Sequence, residues 1–145
     1  ETGRMDEALA LFPAILEDSP HEPHVRFNLA NALWRQGNLK EAEALFRAAL
    51  DDNPNSPDIP NNLGLLLAQQ GRYYEAKHYY ETALHLDPAY AKAHFNLANI
   101  LGEEGDLKGA LHHYYAALAS DPNFEQAKQN QALIKATQQR QKESP

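Results

Sequence analysis

Four asparagines stand at a constant spacing of 34 residues in this sequence: Asn28, Asn62, Asn96 and Asn130. A carboxamide carries two N–H donors and an oxygen acceptor, so a row of carboxamides can bind the backbone of an extended peptide without reading its side chains. Each such hydrogen bond contributes about 0.5–1.5 kcal/mol. The same amides could instead hydrogen-bond between neighbouring structural units. The sequence leaves both roles open, and the two roles are compatible.

Further side chains stand close to this row. Asn31 and Asn99 follow it by one helical turn, and Leu65 occupies the equivalent position between them. Lys92 precedes the row by one turn. Trp34 stands where the later repeats have an alanine and a glycine, so its ring has space to contact a partner. We therefore take these residues as candidates for the same peptide-binding surface.

Three other residue types share this period, and they define the elements that must position the asparagines. The prolines are Pro20, Pro54, Pro88 and Pro122; the glycines are Gly3, Gly37, Gly71 and Gly105; the alanines are Ala8, Ala42, Ala76 and Ala110. A period shared by a helix breaker, a flexible residue and a small packing residue indicates one helical hairpin repeated along the chain. The sequence therefore predicts an all-α solenoid.

The prolines divide the chain into three full units, 23–56, 57–90 and 91–124. Residues 1–22 are expected to form the second helix of a truncated unit, residues 125–137 a polar capping helix, and residues 138–145 a frayed or disordered tail. Within each unit, glycine provides the positive φ that ends the first helix, and the alanine that recurs every 34 residues lets the two helices approach closely.

The middle unit reads Leu63-Gly64-x2-Leu67, Gly71, Ala76-x3-Tyr80, Ala83, Pro88. This pattern resembles the tetratricopeptide repeat, whose motif is W-x2-L-G-x2-Y, then A-x3-F, then P, over 34 residues. Arg26, Pro60 and His94 depart from the motif, because they stand where it has its first aromatic residue. The resemblance implies a right-handed superhelix of stacked helix-turn-helix units, with the first helix of each unit on the concave surface.

The resemblance also implies a function, a scaffold for protein–protein interaction that binds an extended segment of a partner in its concave groove. The asparagine row is similar to that of the O-GlcNAc transferase repeats and occurs in other tetratricopeptide repeats. Asn31, Asn62 and Lys92 match part of the carboxylate clamp that binds chaperone tails, whereas Phe27 and Asn96 stand where the clamp has cations. Without those cations a terminal carboxylate would be held weakly.

Composition excludes several other functions. The net charge of −7 argues against nucleic acid as a ligand, and no apolar run approaches the ~20 residues of a membrane span. There is no cysteine, no phosphate-binding loop and no nucleophile motif, so we expect no catalytic residue and no cofactor. Seven histidines show no metal-ligand spacing, and His113, at a core position, is expected to be packed and neutral.

Two alternatives to a scaffold stay open. The chain begins at Glu1 in the middle of a repeat, which indicates a piece of a longer protein, and it could be the substrate-docking region of an enzyme such as a glycosyltransferase. It could also be a structural module that self-assembles, because its acidic first end and basic last end favour homo-oligomers through the repeat ends. The sequence does not fix the compartment and slightly favours a soluble, cytoplasmic protein.

Overall fold

The computed structural model describes residues 23–143, and in that range the chain forms seven α-helices and no strand. They are α1 (Pro23–Arg35), α2 (Leu39–Asp52), α3 (Asp58–Gln69), α4 (Tyr73–Leu86), α5 (Ala91–Glu103), α6 (Leu107–Ser120) and α7 (Glu125–Glu143). The predicted all-α class is confirmed. The helix expected in residues 1–22 lies outside the described residues.

Each hairpin turns at a glycine with a left-handed backbone. The φ angles are +85° at Gly37, +75° at Gly71 and +85° at Gly105. In the first turn the N–H of Asn38 donates to the carbonyl of Leu33 over 2.9 Å, which closes α1 in a Schellman motif. Glycine adopts this conformation without the steric penalty of a Cβ atom, so its spacing sets where each first helix ends.

Small residues bring the two helices of each hairpin together. Ala42, Ala76 and Ala110 are fully buried on the second helices. In the middle hairpin Gly64 faces Tyr80 so closely that an added Cβ would lie 2.6 Å from the tyrosine ring. The alanines predicted to let the helices approach closely are therefore buried between them, and close packing around an aromatic ring holds the hairpin.

The last helix is longer than expected. α7 continues to Glu143 and so includes residues 138–143, which the sequence pattern places in a frayed tail; that expectation is wrong for those residues. The segment contains no glycine or proline, and its glutamine, lysine, arginine and glutamate residues are good helix formers. Arg140 and Lys142 in the last turn also interact favourably with the negative end of the helix dipole.

The first helices of successive units lie next to one another. α3 contacts α5, and α5 contacts α7, in addition to the contacts that each makes within its own hairpin. Within residues 23–143, successive second helices do not approach one another as closely. The first helices therefore line the inner surface of the stack, which we call the groove. None of the helices in this range is long and apolar enough to cross a membrane.

Candidate functional site

Asparagine side chains join the first helices of successive units. In three such contacts, an amide of the repeating row donates to an amide of the preceding unit. The donor–acceptor pairs are Asn62 Nδ2 to Asn31 Oδ1 at 3.0 Å, Asn96 Nδ2 to Asn61 Oδ1 at 2.9 Å, and Asn130 Nδ2 to Asn99 Oδ1 at 2.9 Å. We call these six residues the amide ladder.

The middle unit builds its part of the ladder differently from its neighbours. Leu65 stands where the other two units have asparagine, so it offers no acceptor to the next unit. Asn61, one turn earlier and only 1% exposed, supplies that acceptor to Asn96 instead. The neighbouring units have Phe27 and Phe95 at the position of Asn61. An apolar and an amide residue have thus exchanged places on one face of α3, and the ladder is kept.

Sequence reasoning missed Asn61, because the residue lies outside the 34-residue row. The signal was present in the sequence. Position 61 has asparagine where the other two units have phenylalanine, and position 65, one turn later, has leucine where they have asparagine. Asn61 Nδ2 also donates to Asn62 Oδ1 over 3.2 Å, so the contacts from α1 to α5 form one continuous network.

Other groups fix the orientation of the ladder amides at both ends. Asn31 Nδ2 donates to the carbonyl of Phe27 over 2.9 Å. At the other end the hydroxyl of Tyr114 donates to Asn99 Oδ1. Burial raises the pKa of the Tyr114 phenol, so the hydroxyl stays protonated and remains a donor at neutral pH.

The ladder leaves donors unused. Asn62 and Asn96 each donate one N–H within the described residues, and a carboxamide has two, whereas Asn130 also hydrogen-bonds the hydroxyl of Tyr114. Asn62 and Asn130 are half-buried, Asn96 is 9% exposed, and Asn28, the first member of the row, is exposed. Part of the hydrogen-bonding capacity of the row is therefore not used within the described residues.

The remaining predicted site residues occupy different environments. Trp34 is half-buried, its Nε1 donates to Gln69 Oε1 over 2.6 Å, and its ring packs edge-on against Phe46. Leu65 is half-buried and packs against the core. Lys92 is exposed and lines a separate cavity of about 350 Å³ formed by the turns around it. The structure therefore brings five of the six predicted asparagines into the ladder, leaves Asn28 outside it, and places Lys92 at a separate cavity.

Two histidine side chains contact each other in the third hairpin. His94 Nδ1 lies 2.9 Å from His113 Nδ1. Burial, assisted by the nearby His94 and His112, lowers the pKa of His113 to about 4, so it is neutral at pH 7 as expected. Across residues 23–143, no group of three or more histidine or acidic side chains is arranged to hold a metal ion.

Sequence comparison decides the family. Tetratricopeptide repeat models match residues 1–61 and residues 61–123. The chain belongs to the tetratricopeptide repeat family. No curated protein matches the sequence.

Solved tetratricopeptide repeat structures share the fold at low sequence identity. MamA from Desulfovibrio magneticus RS-1 has a TM-score of 0.81 at 20% identity, over 95% of this chain and 78% of that chain. The first repeat domain of Spaghetti (RPAP3), bound to the HSP90 peptide SRMEEVD, has a TM-score of 0.75 at 22% identity, over 80% and 92% of the two chains. YrrB, described as having an unusual peptide-binding site, has a TM-score of 0.74 at 25% identity, over 95% and 71%.

Proposed function

We propose that this chain is a protein-interaction scaffold that binds an extended peptide segment of a partner in the groove lined by α1, α3, α5 and α7. The observation that carries the proposal is the amide ladder, in which Asn62 and Asn96 each keep a second N–H that no described residue accepts. The bound HSP90 peptide of the Spaghetti domain and the peptide-binding site described for YrrB support it by similarity of fold.

The ladder would contribute to binding by holding the amides in place. Each amide is oriented by a neighbour, so little side-chain freedom is lost when a peptide carbonyl accepts its second N–H. Asn28, which is exposed, would add a polar contact, and half-buried Leu65 would add an apolar contact. Affinity would come mainly from the peptide backbone, while specificity would come from the side chains at the edges of the groove.

A free carboxylate at the end of a peptide is not the best ligand for this groove. Asn31 and Asn62, two matches to the carboxylate clamp, are hydrogen-bonded to each other, and Lys92 lines a cavity apart from them. A strongly held carboxylate needs convergent cations. An internal segment of the partner therefore fits the groove better than an acidic tail.

The test is a selection of random phage-displayed peptides on the folded protein, followed by fluorescence anisotropy of the selected peptides. Replacing Asn28→Ala and Leu65→Ala together removes one polar and one apolar groove contact, so we expect about a tenfold or greater loss of affinity. The matched control is Tyr74→Ala, which truncates a side chain that is 85% exposed on the second helix α4 and leaves the groove intact.

Melting curves establish that all three proteins are folded. Tight peptides that lose affinity only in the groove variant support the proposal. A selection that yields no binding peptide, or peptides that lose affinity only in Tyr74→Ala, contradicts it.

A further inference from the structure

A cavity of about 440 Å³ opens at the end of the groove, between α5 and α7. Gly102, Leu133, Ile134 and Tyr114 form its walls, Glu103 lies at its edge, and the last rung of the amide ladder borders it. We call this cavity the terminal pocket. Leu133 is 62% exposed, so the pocket presents an uncovered apolar wall to solvent.

The absence of a side chain at Gly102 keeps the pocket open. The equivalent positions of the two earlier units hold Trp34 and Ala68. A Cβ atom at Gly102 would lie 3.0 Å from Ile134 Cδ1, so even alanine would crowd the site. The glycine thus leaves room for one long side chain from outside the protein, next to the amides that are proposed to hold a peptide backbone.

The charges around the terminal pocket favour a cation. Glu103 is exposed, and no lysine or arginine is among the described residues that line the pocket. Its neighbour Glu104 is directed elsewhere, because both of its carboxylate oxygens accept from Lys77 Nζ at 2.7 Å. Glu103 is also the last residue of α5, where the carbonyl ends of the helix add negative potential.

We infer that the terminal pocket binds a lysine or arginine side chain of the partner segment. This inference rests on the proposed function, since the side chain must belong to a peptide lying in the groove. The methylene stem would lie along Leu133 and Ile134, while the cationic end reaches the Glu103 carboxylate at the solvent edge.

The experiment compares the peptides selected on the wild-type protein with those selected on Glu103→Gln. We expect the wild-type peptides to share a lysine or arginine at one position and the Glu103→Gln peptides to lack this preference. Replacing that basic residue by norleucine keeps the apolar stem and removes the charge, which should weaken binding to the wild type about fivefold. The same replacement should have little effect on binding to Glu103→Gln.

Glu104→Gln is the matched control, because it removes the adjacent carboxylate that faces Lys77, and it should keep the basic preference. Gly102→Ala is a second test, since filling the pocket should weaken the basic peptide while melting curves show the protein folded. The inference about the terminal pocket is overturned if the selected peptides show no preference for a basic residue, or if the norleucine peptide binds the wild type as tightly as the basic peptide does. Either result leaves the proposed function standing. A selection that yields no peptide overturns both.

Discussion

At the scale of the residue, the amide ladder shows that the hydrogen-bond acceptor for the next unit can come from either of two positions one helical turn apart. Asn96 is buried and needs an acceptor, because an unsatisfied buried amide loses its water hydrogen bonds without replacement. Leu65 cannot provide that acceptor, and Asn61 does so from one turn away. The residues at positions 61 and 65 are therefore coupled, because with leucine at position 65 the Asn96 amide depends on Asn61 for its acceptor.

This coupling predicts a non-additive pair of mutations. Asn61→Ala alone should lower the free energy of unfolding by about 1–3 kcal/mol, because it leaves the Asn96 amide without its acceptor. In a Leu65→Asn background the same change should cost about 1 kcal/mol less, because the introduced amide stands where the other units have their acceptor. Urea unfolding of the four proteins in the cycle measures the difference. Equal costs in both backgrounds would show that the exchange is not compensating.

The row of asparagines could be predicted from sequence, but its partners could not. A fixed spacing locates Asn62 and Asn96, since a repeat analysis detects what recurs. Asn61 does not recur, and its pairing with Asn96 depends on how far α3 and α5 approach each other. The sequence could therefore identify the polar row without deciding how much of it is used within the fold.

At the scale of the element, a histidine pair takes the place of an aromatic contact in the α5–α6 hairpin. His94 occupies the position of the first aromatic residue of the repeat motif. Its Nε2 lies 3.0 Å from the carbonyl oxygen of Pro88, which can only accept, so that nitrogen carries the proton. His94 Nδ1 is then the acceptor and His113 Nδ1 the donor.

The pair predicts that acid weakens this hairpin. The pKa of His113 falls from 6.5 to about 4 through burial and the nearby His94 and His112, opposed by Asp106. Between about pH 4 and pH 6.5 the unfolded chain therefore binds more protons than the folded chain does. The contribution of His113 to the free energy of unfolding is fully present near pH 7, and roughly 2 kcal/mol of it is lost as the pH falls from 6.5 towards 4.

The measurement is urea unfolding at pH 7 and pH 4.5. His113→Asn keeps an N–H that can donate to His94 and removes the titration, so it should lose less stability in acid than the wild type. His78→Gln, a change at an exposed histidine on α4, serves as the control and should behave like the wild type. An identical acid loss in all three proteins would mean that His113 does not contribute.

Helix positions were largely predictable because each first helix ends at a glycine and each second helix is followed by a proline. The end of α7 was not, since its polar composition suggests a tail when the segment is considered alone. Its continuation depends on helix propensity and on contacts one turn apart, such as Gln139 with Glu143. A prediction from composition alone does not include those local contacts.

At the scale of the whole molecule, the repeated unit determines the architecture, whereas a few side chains that differ between units determine the shape of the binding surface. Stacking equivalent hairpins places α1, α3, α5 and α7 along one surface, so the 34-residue period was sufficient to predict the fold. The differences between units determine the site. The change from Trp34 to Gly102 at equivalent positions opens the terminal pocket, and only the three-dimensional structure shows that Ile134 and Leu133 then form its walls.

The measurement that tests the account most directly is a ¹⁵N–¹H correlation spectrum of the side-chain amides, recorded while a selected peptide is added. Peptide binding in the groove predicts that the NH₂ signals of Asn62, Asn96 and Asn130 shift together with backbone signals of α3 and α5. Signals around Tyr74 on α4 should stay in place. Shifts confined to α2, α4 and α6, with the asparagine side-chain signals unmoved, would contradict the account and leave the ladder a purely structural feature.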